Sequence, residues 1–240
     1  MPYGPKLCPT DLSAKHAWGT FVPHATTAVP YGPVGETRVG HIRAPRRTMT
    51  RMPETRDGRT DGADTADFVI RPIRPEDYPQ VRAIYEDGLI TGHASYEQYG
   101  PTWEKFISSK ITETVFVAVE ANDDDKVLGW VAAAQASTRS VFYGVVEDSI
   151  YTHPDARGRG ISKALLDTLI ATCIKLNKWS IHAWIFPENT GSAGLHVSRG
   201  FTKVGTYHHM AKMTYGELAG SWRDVDIYEL LLPKKGNNHA

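Results

Sequence analysis

Residues 153–162 read HPDARGRGIS, between an apolar run ending at Tyr151 and a helix-like run opening at Ile161. Pro154 ends the first run. Gly158 and Gly160 allow backbone angles and close approaches that a β-carbon would block. A helix that opens at once after such a turn leaves its first N–H groups unpaired and pointing into it. Those donors, with the positive helix end behind them, make an anion site suited to a phosphate. Arg157 and Arg159 can add charge from the rim. A Walker loop fails here, because four residues must separate its glycines. The dinucleotide fingerprint is met by Gly158 and Gly160, but Lys163 stands where its third glycine belongs. A third pattern is Arg or Gln, two residues, Gly, one residue, then Gly or Ala. Arg157, Gly160 and Ser162 follow it, with Ser in the last place. For the turn alone, an ordinary helix start is an equal reading.

The elements around the turn follow from periodicity. Strands are expected at 67–74, 114–120, 127–136, 143–153, 180–186, 201–209 and 225–232, and helices from 75 to about 88, 101–111, 159–176 and 189–199. Pro75, Glu76 and Asp77 mark the first helix start. NDDDK (122–126) reads as a hairpin turn. In the helix after the glycine turn, Ile161, Leu165, Leu169 and Cys173 fall at helical spacing. The order β α α β β β α β α β β predicts an α+β domain over 67–233.

Residues 1–66 lack a sustained period, and MTRMPETRDGRTDGADTAD (49–67) has almost no large apolar side chain. Such a segment cannot offset its chain entropy by burial, so 1–66 and the polar end 234–240 are expected to be disordered. Met49 or Met52 is an alternative start. The net charge is zero overall, with nine Lys/Arg against six Asp/Glu in 1–66 and eighteen against twenty-one beyond. Neither part has the basic excess of a nucleic-acid-binding face. No apolar run approaches the roughly 20 residues of a membrane span. Cys8 and Cys173 are far apart and make no disulfide or zinc framework, so a reduced, cytoplasmic setting is expected. Neighbouring His208 and His209 would point to opposite faces of a strand, so no metal site is assigned.

VEDSIYTHPDARGRGISKALL (146–166), followed by NTGSAGLHVSRGF (189–201), resembles the Gcn5-related N-acetyltransferase superfamily. More narrowly, the chain is similar to the phosphinothricin and methionine sulfoximine N-acetyltransferases. The resemblance rests on Glu147 to Thr152, on Asn189, Ser192, His196, Gly200 and Phe201, and on Gly220, Trp222, Asp224 and Val225. TGHASYE (91–97) resembles the family's substrate-side loop. The chain departs from the family pattern at Leu218, where a Lys is usual, and in a longer stretch at 207–219 near the expected acceptor.

The resemblance implies the acyl-CoA N-acyltransferase fold, a mixed and mostly antiparallel sheet flanked by helices. It implies acetyl-CoA as co-substrate, a small-molecule amine as acceptor, direct transfer without an acyl-enzyme, and a homodimer. Glu147 aligns with the proposed general base; read from the residues alone, it is an ordinary strand glutamate. Ile150, Tyr151 and Thr152 would offer main-chain groups to the pantetheine arm. Arg157, Gly158, Arg159, Gly160, Ile161, Ser162 and Lys163 would hold the pyrophosphate. Asn189 and Ser192 would meet the cofactor arm, although Asn189 is equally a helix cap. His196 would protonate the departing thiolate or bind the acceptor; a satisfied core histidine is the equal alternative. Arg139 would pair with an acidic group of the acceptor, and Tyr96 would wall its pocket. Two other readings stay open: the same chemistry on a polyamine, aminoglycoside or protein N-terminus, and a non-catalytic acyl-CoA-sensing module.

Overall fold

The computed structural model describes residues 67–233; the expected tails at 1–66 and 234–240, with Cys8, lie outside the described residues. The strands are β1 (Phe68–Pro72), β2 (Phe116–Glu120), β3 (Asp123–Gln135), β4 (Val145–Thr152), β5 (Ser180–Ile185), β6 (Thr202–Lys212) and β7 (Trp222–Leu231). The helices are α1 (Tyr78–Ile90), α2 (Trp103–Ser108), α3 (Ile161–Lys175) and α4 (Thr190–Ser198). The strands form one sheet in the order β1-β2-β3-β4-β5-β7-β6. Every neighbouring pair is antiparallel except β4 and β5, which run parallel. The expected mixed α+β sheet is the observed one.

The two faces of the sheet carry separate cores. Ile161, Leu165, Leu166, Leu169 and Cys173 of α3 are buried against Val131, Val146 and Ile181 on the back face. Burying each large aliphatic side chain contributes roughly 1.5–3 kcal/mol. On the front face, Val81 and Ile84 of α1 and Phe106 of α2 cover Val117, Trp130 and Ala132, with Tyr151 packed beside them. A third cluster joins Phe186, Met213, Val225 and Ile227 to Tyr96, Tyr215 and Leu218.

Several expected boundaries move, and three of the shifts have a visible cause. The helix expected at Pro75 opens as a 3-10 turn at Pro75–Asp77, and α1 follows. Buried Asp77 fixes this start, pairing with Arg71 at 2.7 Å and accepting the Arg74 N–H at 2.7 Å. The acidic run read as a turn at 122–126 belongs mostly to β3, where Arg71 and Arg74 both pair with Asp124. The stretch 207–219 is not all loop: β6 runs on to Lys212 through an irregular register between Tyr207 and Ala211, with His209 at φ 52°. Four steps along β6, from Tyr207 to Ala211, oppose two along β7, from Val225 to Arg223, so two extra residues make this bulge.

Candidate functional site

The glycine turn has the geometry its sequence predicts. Gly158 and Gly160 have φ of 79° and 81°, and a Cβ on either would meet open space. Gly160 is the left-handed cap of α3, and the first hydrogen bond of the helix runs from Ala164 N–H to Gly160 O at 3.1 Å. Among the described residues, no protein acceptor takes the N–H groups from Gly158 through Lys163. This run of donors, over a surface no Cβ obstructs, fits a pyrophosphate. Arg157 and Lys163 are exposed beside it. Ser162 ties the helix start to the strand, its Oγ 2.7 Å from Thr152 Oγ1.

The Arg159 side chain is engaged with protein groups. Its guanidinium makes a two-pronged pair with Glu120, at 2.9 and 2.8 Å, and bonds Asp67 at 2.8 Å. The side chain braces β1 and β2 rather than the anion site, leaving its main-chain N–H for that role. A cavity of about 230 Å³ beside Arg159 is lined by both signs of charge, Asp87, Glu120 and Asp155 with Lys126 and Arg159.

Below the turn, β4 separates from β5. The two strands stay in register only over Val145–Glu147 and Ser180–His182, whereas β3 pairs with β4 from Val146 to Thr152. From Asp148 to Thr152 the β5-side edge of β4 therefore has no strand partner. Ile150, Tyr151 and Thr152 lie on that edge, open to an extended ligand that adds like a strand. The side chains of Tyr151 and Thr152 are engaged elsewhere: Tyr151 stacks on Trp130 with centroids 4.9 Å apart, and its hydroxyl donates to Ala94 O at 3.2 Å.

Glu147 sits where the two strands part. Alternation puts it on the front face with Ser149 and Tyr151, opposite Val146 and Ile150, which face α3. The carboxyl is half-buried. Burial pushes its pKa up to about 7, with Lys110 pulling it down and Asp148 adding to the rise. Lys110, which the sequence reading missed, donates to Ser149 Oγ at 3.1 Å; burial lowers its own pKa, against Glu147 and Asp148. Its only sequence signal was a Lys at the end of the second helical stretch.

Arg139 lies in the β3–β4 connection, at the Glu147 end of β4. Gln135 shapes this connection by donating to the carbonyls of Phe142, Tyr143 and Val145. The Arg139 side chain is exposed over the Phe142 ring, 5.4 Å from its centroid, and lines a surface depression of about 300 Å³. Among the described residues it has no ion-pair partner.

The loop at 91–97 is clamped from several sides. Buried Arg223 of β7 donates to Gly92 O at 2.8 Å, contacts His93 Nδ1 and Glu188 Oε2 at 3.0 Å each, and lies 4.1 Å over the Phe186 ring. Tyr215 donates to Ser95 O at 2.8 Å. Tyr96 packs edge-on against Phe186, and its hydroxyl reaches Arg223 O at 3.4 Å. Arg223 was overlooked because it occupies an unspecified place in the Gly-x-Trp-x-Asp-Val pattern.

Asn189, Ser192 and His196 also hold protein groups. Asn189 Oδ1 caps α4 by accepting Ser192 N–H at 3.1 Å, and its Nδ2 donates to His93 O at 3.1 Å. The cap reading describes Asn189, with the loop as its second partner. His196 is 2% exposed, with Nδ1 2.7 Å from Ser192 O and Nε2 3.1 Å from Asp148 Oδ2. Both ring nitrogens face oxygen acceptors, an arrangement that suits the charged, doubly protonated ring. Burial opposes that charge, but the Asp148 carboxylate outweighs it and raises the histidine's pKa. Asp148–His196 is thus a buried hydrogen-bonded pair linking β4 to α4, and its packing is that of a satisfied core histidine.

A parallel strand pair that parts beside a strand–glycine turn–helix unit, with a carboxyl at the point of parting, defines a class of acyl-transfer fold. The acetyltransferase (GNAT) family model matches residues 78–201, and the chain belongs to this family, whose acyl donor is acetyl-CoA. Its relatives include phosphinothricin N-acetyltransferase of Alcaligenes faecalis, 36% identical over 164 residues, covering 67% of this chain and 80% of that protein. L-methionine sulfoximine/L-methionine sulfone acetyltransferase of Pseudomonas aeruginosa is 26% identical over 166 residues, 68% of this chain and 94% of that protein. Among solved structures, a phosphinothricin acetyltransferase of Sinorhizobium meliloti in complex with acetyl-CoA matches with a TM-score of 0.60 and 28% identity, over 69% of this chain and 89% of that one.

Proposed function

We propose that this N-acetyltransferase transfers acetyl from acetyl-CoA to the α-amine of a small amino acid or analogue, with phosphinothricin and methionine sulfoximine the first candidates. The observation that carries the mechanism is the Glu147 carboxyl, poised near neutrality where β4 and β5 part. An ammonium group cannot attack a thioester until it loses a proton. Glu147 takes that proton, and a general base of this kind contributes typically about 10²–10⁴-fold. The glycine turn and the free β4 edge hold the donor through main-chain groups, and an N–H of that edge polarises the thioester carbonyl. Arg139 offers its fork to the acceptor's acidic group, and Tyr96 walls the pocket. His196 is a positioning residue: sealed against Asp148, it fixes α4 to β4. Detoxification by a cytoplasmic homodimer belongs to the same proposal.

The test is a thiol-release assay with acetyl-CoA against a panel of acceptors. Turnover is expected with phosphinothricin or methionine sulfoximine, and it should weaken in Arg139→Ala mainly through the acceptor KM. Turnover confined to polyamines or aminoglycosides would overturn the substrate class. Binding of acetyl-CoA without turnover on any amine would favour a sensing module.

A further inference from the structure

Glu147 does not stand alone on the front face. The β4–β5 register sets it beside His182, and the β5–β7 register sets His182 beside Glu229. Alternation turns all three side chains to one face, as Trp184 and Ile227 on that face confirm for β5 and β7. Neighbouring strands are about 4.8 Å apart, so the three groups form a row across the sheet. His182 Nε2 is 3.5 Å from Glu229 Oε1, which also accepts from Ser180 Oγ at 3.2 Å. Both side chains are about a third exposed, at 29% for His182 and 32% for Glu229. The row is flanked by Ala134 of β3 beside Glu147 and Thr202 of β6 beside Glu229. The charged groups acting on Glu147 are Lys110, from the segment after α2, and Asp148 of its own strand.

The row answers a requirement of the proposed reaction, on which this inference rests. An ammonium acceptor that becomes an amide gives up two protons. One ends on the sulfur when the carbon–sulfur bond breaks and the carbon–nitrogen bond forms. The other, taken by Glu147, must leave before the next turnover. We propose that His182, oriented by Glu229, is the relay that carries this proton from Glu147 to solvent. Glu229 beside Nε2 favours a hydrogen there, leaving Nδ1 as the acceptor. The Glu147 proton passes to Nδ1 as the Nε2 proton passes to water, directly or through Glu229, and exchange with solvent, one proton lost from Nδ1 and one gained at Nε2, restores the starting tautomer. His182 acts through Glu147 and touches neither donor nor acceptor, so it is a positioning and relay residue.

The test compares wild type, His182→Gln, Glu229→Gln and Glu147→Gln across the neutral pH range, with and without free imidazole. For His182→Gln, kcat should fall about 10-fold, less than the roughly 10²–10⁴-fold of a general base itself because water can still carry the proton slowly, with KM for both substrates little changed. Added imidazole should restore much of the loss, which no structural role predicts. Glu229→Gln should move kcat in the same direction by less. The relay is overturned if His182→Gln keeps the wild-type kcat and pH profile, or if its loss ignores imidazole while its melting temperature drops. His182→Asn repeats the test should the Gln variant fold poorly. A Glu147→Gln enzyme with full activity would instead sink the general-base reading itself, a different result from failure of the relay.

Discussion

The two ends of β4 present contrasting kinds of site. At the Thr152 end, the glycine turn is made of main chain: N–H groups from Gly158 to Lys163 over open space. At the Glu147 end, the site is made of side chains that meet from distant parts of the chain: Lys110, Arg139, His182 and Glu229. A main-chain site needs only a local sequence that bends correctly and opens a helix. A side-chain site needs the sheet to be assembled first. The two ends should therefore fail in different ways, donor affinity at one and turnover at the other.

The largest expected effect is at Glu147. Glu147→Gln should lower kcat by about 10²–10⁴-fold, while calorimetry finds acetyl-CoA binding unchanged. A matching loss of donor affinity would break the contrast between the ends. Next comes the buried Asp148–His196 pair, which holds α4 to β4. Asp148→Asn leaves the buried His196 without its charge partner, which should cost about 3–5 kcal/mol, roughly 6–20 °C in melting temperature. Because the folded-state pKa of His196 is raised, the stability it contributes is fully present below its ordinary pKa of about 6.5 and is lost as pH rises through the folded value. The gap between wild type and variant should therefore be widest in acid and narrow as pH climbs.

A smaller effect is expected at the turn. Gly160→Ala places a β-carbon on a residue at φ 81°, where the left-handed conformation costs about 1–2 kcal/mol. Acetyl-CoA Kd should rise about 10-fold, while kcat at saturating donor stays near wild type. The smallest effect sharpens the other end. In the proposed mechanism Glu147 works as the carboxylate, so kcat/KM should rise with pH through about 7. Lys110→Met removes the cation that holds this value down, so the acid limb should move to higher pH without a change in the plateau. An unmoved limb would remove Lys110 from the electrostatics of the base.

Much of the fold was legible because its signals are local. The spacing of Ile161, Leu165, Leu169 and Cys173 set the buried stripe of α3, and strand alternation set both faces of β4. Boundaries slipped where distant partners intervened, as when Arg71 and Arg74 drew Asp124 into β3. In the candidate site, the glycine turn was readable from type and spacing, whereas Glu147 was singled out only by the family resemblance. The engagements of Asn189 with His93, Arg159 with Glu120, and His196 with Asp148 were not readable, since each partner lies far off in sequence or on another element.

The sequence by itself determined the glycine turn, because positive φ and unpaired helix-start N–H groups are properties of a few consecutive residues. It also determined the alternation that sends Glu147 and Asp148 to opposite faces. Only the tertiary structure decided which groups those faces meet: Lys110 and His182 near Glu147, and the buried His196 ring against Asp148. The physical reason is that burial and charge pairing depend on strand order and register, which bring together residues that no local pattern connects.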